Sequence, residues 1–154
     1  MIAVPELVTI DPEVTAAVHA VIPLSGLRDF FDASFGALAG AIAAQQLDIK
    51  SPAFGLYRGA SGDPLDVEVG FATGRPVDPT GAVFAGSLPG GRVARLTHVG
   101  GFDGLGSSWN DLHAWIESQG LTPADHRWEV YITQPSPDMD PNDLRTELNW
   151  PVAD

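Results

Sequence analysis

Gly26-Leu27 recurs as Gly104-Leu105, 78 residues further along this chain. Leu47 recurs as Leu121, Phe54 as Trp128 and Tyr57 as Tyr131, each 74 residues on. The offset changes within or at the ends of two matching segments, "SGLRDFFDASFGALAGAIAAQQL" (25–47) and "DGLGSSWNDLHAWIESQG" (103–120). Each carries an apolar stripe at helical spacing. The first has Leu27, Phe31, Phe35, Leu38 and Ile42; the second has Leu105, Trp109, Leu112 and Ile116. Ser25 is the expected N-cap of the first helix, and Gly120 the left-handed cap that ends the second.

The flanks repeat as well. "VTAAVHAVI" (14–22) and "RVARLTHVG" (92–100) read as strands before the helices. "SPAFGLYRG" (51–59) and "DVEVGFATG" (66–74) read as a hairpin after the first, joined by "ASGDPL". "HRWEVYITQP" (126–135) and "DLRTELNWPV" (143–152) follow the second, with "SPDMDPND" as the loop between them. Residues 75–91 read as a Pro- and Gly-rich connector. Each half is therefore β-α-β-β, with pseudo-repeats at about 10–75 and 91–152 of a single domain spanning 1–154. The expected fold class is α+β: a mainly antiparallel sheet with two helices on one face and a ligand cleft on the other.

Within "HRWEVYITQP", Glu129 interrupts a run suited to a half-buried strand. Alternation puts Trp128, Val130 and Ile132 on one face and Glu129, Tyr131 and Thr133 on the other. The apolar set, with Phe54 and Leu56 of the first half, is expected to pack on the helices. Glu129, Tyr131, Tyr57 and Gly55 would then line the open face, and Gly55 occupies the place symmetric to Glu129. Trp109, Trp128 and Phe71 read as core. Trp150 fits either face. Phe102, at a strand-to-helix turn, is placed to close one end of a cleft.

With 154 residues and 44% apolar composition, the chain is long enough to bury a core. No apolar run approaches a membrane span, no signal peptide is evident, and the absence of cysteine fits a cytoplasmic protein. A net charge of −12 opposes direct binding to nucleic acid. His19, His98, His113 and His126 lack zinc-site spacing, so no metal is expected there. "DMDPND" (138–143) resembles the start of a calcium loop, but Asp143 and Asn149 stand where Gly and Glu belong. "GGFDGLGSS" lacks nucleotide-loop spacing, and no "GxSxG" is present. No cofactor is expected.

"THVGGF", "LHAWIESQGL", "WEVYITQP" and "RTELNWPV", in this order and spacing, resemble the GyrI-like small-molecule-binding family. That family includes effector-binding domains at the C-termini of multidrug-sensing transcription regulators, and stand-alone members. The resemblance implies the duplicated fold and an acidic residue in an aromatic-lined cleft. Glu129 matches that residue, Tyr131 the Tyr two positions later, and His98 lies where the family borders its cleft. It implies binding of a small lipophilic, aromatic or cationic ligand. It also implies two alternatives. One is hydrolysis of strained cyclopropane-bearing electrophiles, with Glu129 as general base and Tyr131 or Tyr57 as donor. The other is a gyrase-inhibitory protein interaction, which the acidic charge favours. A protein partner or a homodimer stays open.

Overall fold

The computed structural model describes residues 4–59, 64–133 and 138–154. In chain order the elements are β1 (Glu6–Ile10), β2 (Glu13–Ile22), α1 (Leu27–Ala44), β3 (Phe54–Arg58), β4 (Leu65–Ala72), β5 (Phe84–Leu88), β6 (Gly91–Val99), α2 (Leu105–Ser118), β7 (Thr122–Pro123), β8 (His126–Val130) and β9 (Arg145–Ala153). Short 3₁₀ turns at Leu24–Gly26 and Phe102–Gly104 feed the two helices, and a third lies at Pro141–Asp143. The fold is α+β, the strand pairings described below are antiparallel, and the β-α-β-β order occurs twice.

The chain divides into two compact units. One is Asp11–Gly90; the other is Met1–Ile10 with Gly91–Asp154. In the first, β5 pairs with β2, β2 with β4 and β4 with β3. In the second, β1 pairs with β6, β6 with β9, and β9 with both β8 and β7. Each repeat thus gains one outer strand. β5 arises inside the stretch expected to be a connector, and β1 precedes the first repeat yet joins the unit of the second.

The first unit's core joins α1 to one sheet face. Leu38, Ala41 and Ile42 meet Ala16, Val18, Val67 and Val69, with Phe31, Phe35, Tyr57 and Phe71 packed around them. The second unit's core joins α2 to Ala94, Leu96, Leu148 and Trp150 through Trp109, Leu112 and Ile116. Both stripes read from the sequence are the buried ones. The N-caps are Gly26 and Gly104, without side-chain caps. Ser25 is not the cap, because the 3₁₀ turn has already satisfied a donor: the Gly26 N–H reaches the Pro23 carbonyl at 2.8 Å.

The helices end alike. After α2, Gly120 (φ 72°) donates to Glu117 at 3.0 Å and Leu121 to Ile116 at 3.2 Å. After α1, Gln46 (φ 55°) donates to Ala43 at 3.2 Å and Leu47 to Ile42 at 3.0 Å. This double closure explains why Leu47 and Leu121 match: each folds back on its own core.

Residues 134–135 of the expected strand, 136–137 of "SPDMDPND" and 60–63 of "ASGDPL" lie outside the described residues. The strand ends at Val130. Ile132, expected in the core, is 47% exposed, because it lies beyond the ladder.

Candidate functional site

The face of the second unit that meets α2 is a grid set by the register of its strands. Ala94 pairs with Trp150, Leu96 with Leu148 and His98 with Thr146. On the next strand Glu129 pairs with Leu148. Paired residues share a face. Glu129 therefore points to the helix side, with Leu148 and Trp150, which belong to the α2 core. This corrects the expected facing. The alternation of Trp128 against Glu129 holds, but the faces are exchanged: Trp128 pairs with Asn149, away from α2. In the first unit Gly55 pairs with Val69 and Tyr57 with Val67, both α1-facing, while Leu56 pairs with Glu68 and Phe54 with Gly70 on the opposite face. Trp128, Phe54 and Leu56 are all buried, so both faces exclude water. Burial alone could not say which set meets a helix.

The register also sharpens the symmetry. Leu96, Leu148 and Glu129 form one row in the second unit. Val18, Val69 and Gly55 form the corresponding row in the first. Gly55 thus occupies the place equivalent to Glu129 within its own unit. Tyr57 and Gly55 are in the first unit; Glu129, Tyr131, Trp150, Phe102 and His98 are in the second.

Glu129 is 6% exposed. The Trp109 indole N–H donates to Oε2 at 2.8 Å, and the Tyr131 hydroxyl donates to Oε1 at 3.0 Å. Burial pushes its pKa above the ordinary carboxylate value. The two hydrogen bonds and the positive potentials of Arg127 and His98 oppose this without cancelling it. Phe102, 44% exposed, stands edge-on to Tyr131 with centroids 6.1 Å apart.

Trp150 lies on the helix side. It is T-shaped to Trp109 at 5.5 Å and donates its N–H to the Ala124 carbonyl at 2.8 Å. The Arg127 guanidinium stands over both indoles, 5.1 Å from Trp109 and 5.0 Å from Trp150.

His98 is buried and ties the strand to the helix start. Its Nε2–H donates to the Gly101 carbonyl at 2.8 Å, and Nδ1 pairs with the Ser108 hydroxyl at 2.7 Å. Beside it, the Thr146 hydroxyl is fully buried and has no hydrogen-bond partner among the described residues. Among the described residues no cluster of acidic and histidine side chains could hold a metal, and no helix is long and apolar enough to cross a membrane.

The model of the GyrI-like small molecule binding domain matches residues 4–153. The chain belongs to the GyrI-like family. Its ligand class is accordingly a small molecule. No curated protein matches it. Among solved structures, the EcmrR C-terminal domain is similar over 99% of both chains, with a TM-score of 0.86 at 22% identity. This GyrI-like chain spans 58% of the EcmrR chain seen in an EcmrR–DNA complex, at 21% identity and TM-score 0.86. SAV2435 bound to tetraphenylphosphonium is similar over 99% of this chain and 94% of that one, with TM-score 0.68 and 15% identity. A hydrolase from Listeria innocua is similar over 97% and 91%, with TM-score 0.69 and 17% identity. At these identities the likeness is one of fold.

Three residues beside Glu129 or His98 carry no site assignment from the sequence. Trp109 reads as core, yet its N–H serves Glu129. Arg127 shares the parity of Glu129, and that alternation was a usable signal. Thr146 had no signal, since its place depends on the pairing of β9 with β6.

Proposed function

We propose that this chain binds lipophilic aromatic small molecules, cations among them, with Glu129 as the buried charge. Tyr131, Trp150 and Phe102 provide aromatic surface, and His98 holds the border. One observation carries the reading: a glutamate almost fully withdrawn from water, with both oxygens held by N–H and O–H groups of aromatic side chains. A delocalised cation is weakly hydrated and loses little on entering such surroundings, while the carboxylate gains a counter-charge that water no longer supplies. The similarity to SAV2435, whose structure holds tetraphenylphosphonium, supports the same ligand class.

The test is a titration with tetraphenylphosphonium, followed by quenching of tryptophan fluorescence. The unaltered chain should saturate, and Glu129→Gln should weaken binding by about tenfold or more, as for a lost charge-assisted contact. Equal binding by both proteins would refute the role of Glu129.

The Tyr131–Glu129 hydrogen bond and the likeness to the Listeria hydrolase favour a second reading. A carboxylate with a raised pKa is a better general base for water, and the phenol is a ready donor to a developing oxyanion. Here a strained cyclopropane electrophile would be turned over. Glu129→Gln would abolish turnover while leaving binding of the neutral substrate intact. Binding without any product from the unaltered chain rejects this reading.

A further inference from the structure

We propose that Arg127 is a resident cation of the Glu129 site and sets which ligand charges the site accepts. This deepens the binding reading above and rests on it. Arg127 and Glu129 are two residues apart on β8, so their side chains leave the same face. The guanidinium lies over both Trp109 and Trp150, at 5.1 and 5.0 Å. The two indoles meet at 82°, so their faces form a corner with Arg127 inside it. Trp109 is also the donor to Glu129, so one indole connects the cation to the carboxylate.

A planar, delocalised, weakly hydrated cation on aromatic faces beside a buried carboxylate has the chemistry attributed to a cationic ligand. Here the chain itself supplies it. An incoming aromatic cation competes for the same ring faces and must displace the guanidinium from them against its like charge. A neutral aromatic compound carries no charge for Arg127 to repel and need not take the guanidinium's place. Arg127 thus holds down affinity for cations and leaves affinity for neutral aromatics largely untouched.

The test compares the full chain with Arg127→Gln and Arg127→Lys. Tetraphenylphosphonium and neutral triphenylphosphine oxide serve as the probes. Arg127→Gln should bind the phosphonium about tenfold tighter, as expected for removal of a like charge and a ring-face competitor, and bind the oxide within about twofold of the unaltered chain. Arg127→Lys, which keeps the charge without the planar fork, should stay closer to the unaltered chain for the phosphonium.

A second measurement needs no substitution. The Arg127 Hδ and Hε resonances should be shifted upfield by the indoles in the free chain, and should move downfield when phosphonium saturates the site. Equal phosphonium affinity in the unaltered chain and Arg127→Gln, or Arg127 resonances that do not move at saturation, would overturn the role of Arg127 while leaving the binding reading in place. Failure of every protein to bind either probe would overturn the binding reading itself.

Discussion

Because Glu129 holds its proton more tightly in the folded chain than the ordinary value of 4.5 describes, its titration is coupled to stability. Between pH 4.5 and the raised value, the folded state binds more protons than the unfolded one. Stability therefore falls as pH rises through that window and levels off above it. Glu129→Gln cannot ionise, so its urea midpoint should lack this decline, and its advantage over the unaltered chain should open as pH is raised from 4 to 8. Parallel curves would show that the carboxylate is solvated. The same titration sets the charge that the ligand meets, so phosphonium affinity should weaken on acidification at a higher pH than an exposed glutamate would give. Thr146 makes a complementary case. Its buried, unpartnered hydroxyl costs stability in the free chain. Thr146→Val keeps the shape and should raise stability by about 1 kcal/mol, measured by urea denaturation. A loss of stability would mean that the hydroxyl has a partner. At this scale the sequence revealed the odd residue and its alternation, because period two is local. It did not reveal the face, because Trp128 on one side and Leu148 on the other are equally apolar, and only the register with β9 distinguishes them.

The two helices end in the same closure with different residues at the left-handed position. Gly120 adopts φ 72° without strain, whereas Gln46 at φ 55° carries a side chain there. Gln46→Gly should therefore stabilise the chain by about 0.5–1 kcal/mol, and Gly120→Ala should destabilise it by a similar amount. Thermal unfolding checks the opposite signs. Within β4, Gly70 has a stricter role. A Cβ there would lie 2.1 Å from the Ala16 carbonyl oxygen of β2, so Gly70→Ala must push the two strands apart. The cost should exceed about 2 kcal/mol, in the range of overpacked cores, and would show as a lowered urea midpoint. The helices and the inner strands were legible because their apolar periods are strong. β1 and β5 were not, since each is a five-residue outer strand. Gly86 and Ser87 in β5 and the Pro-rich surroundings hide it among turn signals.

For the whole molecule, the order of the chain and the order of the units differ. The residues around Glu129 belong to the second repeat, but the outer strand of that unit comes from the N-terminus. β1 lies along β6 with Val8 opposite Val93 and Glu6 opposite Arg95. It covers an edge whose N–H and C=O groups would otherwise face solvent. The next rungs inward are Ala94–Trp150, Leu96–Leu148 and His98–Thr146, the same rows that seat the candidate site. β1 is therefore a support of the site, though none of its residues touches Glu129 through a hydrogen bond among those described. A chain lacking residues 1–10 should show faster amide exchange along β6, at Val93 and Arg95 above all, than along β2 of the other unit. It should also associate through the freed edge, giving a sedimentation coefficient that rises more steeply with concentration than that of the intact chain. The indole environment of Trp109 and Trp150 reports on the same rows, so loss of β1 should also change the tryptophan emission. If exchange at β6 and the emission stay those of the intact chain, the N-terminal strand is an ornament of the fold and the second repeat supports the Glu129 face on its own.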